Sequence, residues 1–580
     1  MRLKLLTLIW FLWTGSMVMG QVTVRIAATS DVHGALFPYD FLNDQPGLPS
    51  LASLETFLDS VRALPGHNLV LLDNGDLIQG TPAAYYANFV RDKKTNLFAE
   101  VLNNMQYDAA TVGNHDIEAG PDVYYRLQRE FTFPWLGANV IRSSDGEPAF
   151  KPYTIIERQG IRIAILGLIT PGVPNWLPKT LWPGLEFRDL VESAAYWAAQ
   201  IQDKENPDVL IGLFHTGYGQ AEPEISSGMP ENAGLQAALK VPGLDLVILG
   251  HDHRPRSESV TGPSGNPAGI INPGSGVRNV AWAELVFSKE ADGVRLISSE
   301  ARVISLEKYE PSARFIRKFS KDIRDTKKYA GRRAGKLAEP LQAIETLFGS
   351  AAFTDLIHEI QLDITGADIS FTAPLTTSEN LQAGRLFVRD LFKLYRYENF
   401  LYTMELTGRE VKDFLEYSCG LWFNHMQDEN DHLLNFRKDE KGNVVLGPNG
   451  NPSLAHPSFN FDSAAGIKWE VDVSKPLGNR VRIISMEDGT AFYEDKTYQV
   501  AINSYRGSGG GGHLTRGAGI DPEKLQERII YTSGKDIRSM MVGYLGKRGT
   551  TYAKPRNNWQ VIPTGWHQSG MEKDKPFFIR

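Results

Sequence analysis

The chain has 580 residues, too many for one hydrophobic core, so two domains and a connector are expected. A hydrophobic content of 42% and a charged content of 22% are ordinary for a soluble globular protein. A net charge of −7 argues against a scaffold that grips polymeric nucleic acid by its backbone, but it leaves room for a small anionic substrate beside a local positive charge.

The N-terminus reads as a processing signal. Arg2 and Lys4 precede an almost wholly apolar stretch at 5–13, and Val18 and Gly20 take the small-residue positions of a cleavage site before Gln21. The apolar run falls short of the ~20 residues that span a bilayer. The expectation is a signal peptide at 1–20, cleaved near Gly20, and an exported protein, periplasmic or secreted, with no stable membrane anchor. No Cys follows the apolar run to carry lipid, and the polar tail 564–580 offers no second anchor. The single cysteine, Cys419, excludes an internal disulfide and reads as a small buried residue in a helical segment.

From 21 to 305, apolar strand-like runs at 22–28, 69–72, 161–168, 209–214 and 246–249 alternate with amphipathic stretches. That alternation indicates an α/β layered domain with its functional loops after the strands. The Gly/Pro-containing stretch 262–276 reads as a surface loop. Residues 306–336 carry Phe315, Ile316, Phe319 and Ile323 at helical spacing in a charged background, opened by Pro311-Ser312, and predict a helical linker. A second, mixed α/β domain is expected over 337–563. It has a helical pattern at Phe353, Ile357, Ile360 and Ile364, a strand at 368–371, and a helix after the Thr407-Gly408 turn. A strand at 467–473 and an apolar run toward Asn503 complete it. The polar, Gly/Asn-rich stretch 427–454 suggests an exposed loop.

Five clusters in the first half carry the chemistry. They are Asp31-Val32-His33, Asp76 in Asp73-Asn74-Gly75-Asp76, Gly113-Asn114-His115-Asp116, His215, and Gly250-His251-Asp252-His253. Asp, Asn and His are ligands for hard-to-borderline divalent cations, and most of these clusters follow a strand-like run. In an extended backbone, positions i and i+2 point the same way, so Asp31 and His33 can reach one metal, as can His251 and His253. Any one cluster is more often a cap, a turn or a satisfied polar group. Together they supply Asp31, His33, Asp76, Asn114, His215, His251 and His253, about the number that two metals with open positions require.

In this order the clusters resemble the calcineurin-type metallophosphoesterases. The strings Asp73-Asn74-Gly75-Asp76-Leu77-Ile78-Gln79-Gly80-Thr81-Pro82 and Glu231-Asn232-Ala233-Gly234 are similar to the two-domain 5′-nucleotidase-like family. The resemblance implies a four-layer α/β/β/α sandwich followed by a second mixed α/β substrate-binding domain. It implies that Asp31, His33, Asp76 and His253 hold one metal and that Asp76, Asn114, His215 and His251 hold the other. These ligands suit Zn, Mn, Co or Fe. It also implies that His115 is the general acid, with Asp116 orienting its imidazole, or capping a helix, or both. Two cations would lower the pKa of a bridging water and supply hydroxide for in-line attack on phosphorus, while protonated His115 assists the departing ribose oxygen.

In the second domain, Tyr397 and Tyr505 are by composition alone partly buried core aromatics. The resemblance implies instead that they sandwich a nucleobase, with Asn399 at a base-contacting position. The 5′-nucleotidase branch carries an Asn-Gly-Gly-Gly-Ile-Arg-like string whose Arg holds phosphate. Here the corresponding stretch is Phe371-Thr372-Ala373-Pro374-Leu375-Thr376-Thr377, with Arg385 and Arg389 as nearby substitutes. With Ser458-Phe459-Asn460-Phe461-Asp462 and Asn503-Ser504-Tyr505-Arg506, that stretch is similar to the 2′,3′-cyclic-nucleotide 2′-phosphodiesterase/3′-nucleotidase branch. The expected activity is hydrolysis of 2′,3′-cyclic nucleotides to 3′-nucleotides and then to nucleoside and phosphate. The alternatives are a 5′-nucleotidase or UDP-sugar hydrolase on the same scaffold, and a nucleotide-binding or adhesion protein with a relict site.

Overall fold

The computed structural model describes residues 20–47, 49–220, 229–290, 293–447 and 450–579. The signal-peptide expectation therefore lies outside the described residues, apart from Gly20. No helix among the described residues is long and apolar enough to cross a membrane.

The first domain is built on two six-stranded sheets packed face to face. One sheet runs Gly293–Ser305, Asn279–Glu290, Gln21–Thr29, Leu69–Asp73, Ala109–Thr111, Trp135–Leu136. The other runs Arg256–Thr261, Pro267–Asn272, Leu246–Leu249, Val209–His215, Ile161–Ile169, Tyr153–Arg158. Alternation along each strand divides its side chains between two cores. Val24, Ile26, Val70 and Leu72 meet Ile163, Ile165, Ile211 and Leu213 between the sheets. Ala27 and Leu71 face outward, under the helices Leu51–Arg62 and Leu97–Met105. Leu166, Leu210 and Val247 face the opposite way, under Leu190–Glu205 and Gly234–Lys240. The result is the four-layer α/β/β/α sandwich.

The strands that matter most are parallel. Gln21–Thr29, Leu69–Asp73 and Ala109–Thr111 run together in the first sheet, and Ile161–Ile169, Val209–His215 and Leu246–Leu249 run together in the second. Their carboxyl ends therefore open on one edge, where an α/β sheet presents its loops.

Three stretches differ from the sequence reading. Residues 262–276 are not a plain loop, because Pro267–Asn272 is an inner strand parallel to Leu246–Leu249, with Ala268, Ile270 and Ile271 buried. Pro267 is its first residue, where a missing N–H costs little. The linker is two helices, Ala313–Lys318 and Ser320–Ala330, separated at Phe319, and its apolar face belongs to the first core through Phe315 and Phe319 against Phe37. The tail 564–580 is no loose end. Its helix Thr564–Asp574 buries Asp574, which accepts from the Leu434 N–H at 2.9 Å and pairs with His432. The same contacts draw Leu433, Leu434 and Phe436 out of the polar 427–454 stretch into the second core.

The second domain has a five-stranded sheet in the order Ser463–Ala465, Ile369–Thr372, Thr497–Asn503, Phe400–Thr407, Ile529–Asp536. The helices Ala352–Thr365 and Gly408–Trp422 pack against it. The second helix starts at a capping box, in which Thr407 accepts from the Glu410 N–H and Glu410 accepts from the Thr407 N–H. Cys419 is buried in it, and burial pushes its thiol pKa up, as suits an inert packing residue.

Candidate active site

The loops after the parallel strands gather the histidines and carboxylates into two clusters, Asp31 with His33 and His253, and Asp76 with His215 and His251. In each cluster the potential ligand atoms lie within 4.8 Å of one another. In the first, His33 Nε2 faces His253 Nε2 at 3.0 Å, and His253 Nε2 lies 3.2 Å from Asp31 Oδ1. In the second, His215 Nε2 is 3.2 Å from Asp76 Oδ2 and 3.1 Å from Asn114 Oδ1. His215 Nδ1 donates to the Asn74 carbonyl at 2.6 Å, which leaves Nε2 as the lone-pair nitrogen directed into the cluster.

The loop geometry differs from the extended i, i+2 picture. Asp31, His33, Asp76, His251 and His253 all have left-handed backbones, with φ between 47° and 67°. His251 and His253 consequently go to different clusters. Two glycines let the loops interlock. A Cβ on Gly113 would stand 2.3 Å from the Asp76 nitrogen, and one on Gly75, at φ 83°, would stand 2.7 Å from the Gly113 nitrogen.

The donor set fits two cations. Asp31 and Asp76 are buried, and among the described residues no Lys or Arg is paired with either. Burial alone would raise the Asp76 pKa, but the facing His215 and His115 rings override it and hold Asp76 well below the usual carboxylate range. For Asp31, burial likewise raises the pKa and the His253 hydrogen bond leads the contacts that lower it. Two imidazole nitrogens turned toward each other beside a carboxylate are a donor set that a cation can take, and His33 Nδ1 is buried without a hydrogen-bond partner.

His115 is the second residue of the short helix Asn114–Glu118. Its N–H donates to Asp76 Oδ1 at 2.8 Å, and its ring Nδ1 meets the Glu118 carboxylate. Of the two roles expected for Asp116, the structure shows the helix cap. The Asp116 carboxylate turns away from the imidazole and accepts from the N–H groups of Gly113 at 2.7 Å, Asp76 at 3.0 Å, Leu77 at 2.9 Å and Ile78 at 3.2 Å. Asp116 is the brace that holds the Asp76 loop against the helix start, and Glu118 is the carboxylate on His115. The signal was present in the i, i+3 spacing of His115 and Glu118, which shares a helix face once the helix starts at Asn114. Burial lowers the His115 pKa, but Asp76 and Glu118 outweigh it and push it up to about 9, so the ring holds a proton at neutral pH.

A cavity of about 230 Å³ joins this centre to the second domain. Asn114, His115, Glu118 and His251 form one side, and Tyr397, Asn399, Phe459 and Tyr505 the other. Tyr397 meets Phe459 edge to face at 6.2 Å, so Phe459 is a third aromatic wall. Trp176, stacked on His251 at 5.5 Å, and Glu231 close the cavity beside the clusters. None of these three was assigned a role from sequence. Arg385 and Arg389 do not line the cavity; Arg389 pairs with Asp44 at 3.2 Å. Arg506, fully buried, fastens the aromatic loops by donating to the Phe459 carbonyl and to Asp462, each at 2.7 Å.

Residues 24–255 match the calcineurin-like phosphoesterase family, and residues 334–516 match the 5′-nucleotidase C-terminal domain. The chain belongs to this two-domain phosphoesterase family. It is a hydrolytic enzyme of the metallophosphoesterase type, with a centre for two divalent metals. It is 26% identical to a 2′,3′-cyclic-nucleotide 2′-phosphodiesterase/3′-nucleotidase of Haemophilus influenzae, over 94% of this chain and 88% of that one. It is 27% identical to the trifunctional nucleotide phosphoesterase YfkN of Bacillus subtilis over 96% of its length, and spans 40% of YfkN. Its fold matches a Staphylococcus aureus protein solved with alpha-ketoglutarate, with a TM-score of 0.73 at 20% identity, covering 93% of this chain and 99% of that one.

Proposed function

We propose that this enzyme hydrolyses 2′,3′-cyclic nucleotides to 3′-nucleotides and then to nucleoside and phosphate. The observation that carries the reading is the cavity that sets the ligand clusters and His115 opposite Tyr397, Asn399 and Tyr505. Asp31, His33, Asp76 and His253 would hold one metal, and Asp76, Asn114, His215 and His251 the other. Bound there, two divalent cations supply the positive charge that activates water and neutralises phosphoryl oxygens. His115 holds its proton beside Asn114 and delivers it to the departing ribose oxygen, with Glu118 orienting the ring. Tyr397 and Tyr505 hold the base by stacking, which tolerates any base, and Asn399 meets its edge. The preference for cyclic and 3′-phosphates over 5′ is supported by the cavity wall, where no Lys or Arg stands among the described residues, as a phosphate-holding Arg would. The basic, apolar and small-residue order at 1–20 supports action outside the cytoplasm.

Metal-loaded protein offered 2′,3′-cAMP, 3′-AMP, 5′-AMP and a UDP-sugar, with phosphate and nucleoside followed separately, tests the assignment. Turnover of the first two is expected to dominate, with 3′-AMP appearing transiently. Faster turnover of 5′-AMP would sink the branch assignment, and no turnover with any divalent metal would sink the enzyme reading.

A further inference from the structure

Glu231 is a carboxylate in a pocket for an anion, which is unfavourable unless something there donates to it. Its side chain is 50% exposed, and Oε1 lies 2.8 Å from His251 Nε2. Its backbone is fixed, because the Glu231 carbonyl accepts from the Thr170 and Thr216 hydroxyls, each at 2.9 Å. His251 offers one ring nitrogen to the second cluster; with Nδ1 there, Nε2–H donates to Glu231 Oε1, and the half-exposed carboxylate keeps acceptor capacity for a second donor. No Lys or Arg among the described residues lines the cavity to provide one.

Position narrows the partner. Glu231 touches the ligand cluster through His251 and shares the cavity with Tyr505 on the opposite wall. Burial raises the Tyr505 pKa, Arg506 lowers it, and Tyr397 and then Glu231 raise it further, which places the carboxylate within electrostatic reach of that ring. A nucleotide with its phosphate at the clusters and its base at the tyrosines puts its sugar at this level. The geometry points to Glu231 as a specificity-determining residue that accepts a hydrogen bond from the ribose 2′-hydroxyl, vicinal to the 3′-phosphate under attack. This rests on the reading above. It adds a selection for ribonucleotides at the step that follows ring opening, when that hydroxyl becomes free.

The test compares kcat/KM for 3′-AMP and 2′-deoxy-3′-AMP in the wild type and in Glu231→Ala. Equilibrium binding of adenosine and 2′-deoxyadenosine, and metal content by elemental analysis, are measured alongside. The wild type is expected to prefer 3′-AMP by about tenfold or more, the scale of a hydrogen bond to a charged group. Glu231→Ala is expected to reduce that preference to about twofold or less, to narrow the nucleoside binding preference in parallel, and to keep both metals. A wild type indifferent to the hydroxyl, or a variant that still discriminates while turning over 3′-AMP, overturns the inference and spares the assigned activity. Loss of a metal from the variant overturns it in favour of a ligand role. A wild type that prefers 5′-AMP overturns both, since the 2′-hydroxyl would no longer adjoin the scissile phosphate.

Discussion

Lowering the pH should destabilise the second domain through one residue, His358. It is buried in the helix Ala352–Thr365, with Nδ1 3.0 Å from the Ser370 hydroxyl and Nε2 3.1 Å from the Ser463 hydroxyl. Ser370 donates onward to Gln361 Oε1 at 2.8 Å, so it accepts from Nδ1–H, while the Ser463 hydroxyl lies between Nε2 and the Thr372 carbonyl. A neutral ring suits this site, because a second proton would place a positive charge in a buried pocket with Arg556 nearby. Burial, with a smaller contribution from Arg556, accordingly lowers the pKa from 6.5 to about 3. The folded state then refuses a proton that the unfolded chain takes up below pH 6.5, so stability is intact above 6.5 and falls steadily toward pH 3. At about 1.4 kcal/mol per pH unit, the loss from this group between pH 7 and pH 5 is about 2 kcal/mol. Urea unfolding of the wild type and of His358→Gln at both pH values measures it, provided the m-values agree. The wild type should lose about 2 kcal/mol more than the variant between the two conditions. Equal losses would mean that His358 titrates normally and would refute the argument.

Further outcomes are expected at the metal centre and in the second domain. Dialysis against a chelator should abolish turnover and lower the thermal midpoint of the first domain, and two divalent ions per chain should restore both by elemental analysis and calorimetry. His115→Ala should reduce kcat by ~10²–10⁴ with both metals retained. Glu118→Gln should slow turnover about tenfold and move its pH profile, whereas Asp116→Ala should weaken metal binding because the 76–78 amides lose their anchor. Loss of both metals from His115→Ala would contradict its assignment. Asp462→Asn should cost about 3–5 kcal/mol in urea unfolding by leaving the Arg506 guanidinium buried and unpaired. It should also raise KM for nucleotides more than for a phenyl phosphate ester, since Arg506 ties down the Phe459 loop; an equal rise for both would separate the ion pair from base binding.

What the sequence made legible follows from the range of the forces involved. The strand runs, the helices at 352–365 and 408–422, and the layered class depend on hydrophobic periodicity, which is local and was readable. The clustering of Asp31, Asp76, His215 and His251 was readable because parallel strands send their following loops to one edge. Asp116 and Glu118 were not separable. Both are acidic and close to His115, and only the helix phase sends one carboxylate to the imidazole and the other back to the amides at the helix start. Pro267–Asn272 was missed because Gly and Pro at its flanks outweighed Ala268, Ile270 and Ile271, whose burial exists only once Leu246–Leu249 lies beside them. Glu231 lay in a quoted string, but its place beside His251 depends on tertiary packing.

The left-handed loops carry the deeper lesson about this centre. Asp31, His33, Asp76, His251 and His253 each hold a backbone conformation that costs about 1–2 kcal/mol for a non-glycine residue. That strain persists because side chains and backbone fix each other. Asp31 accepts the His251 N–H at 3.1 Å on both oxygens, Asp76 accepts the His115 N–H, and Asp116 gathers the amides behind Asp76. The second domain's sheet needs no such device and shows none at Ile369–Thr372 or Thr497–Asn503. The strain is therefore confined to the loops that must converge, and it is offset by hydrogen bonds already formed among the ligands and their braces. A cation that binds there meets side chains already in position, so little of its binding free energy is spent on ordering the loops.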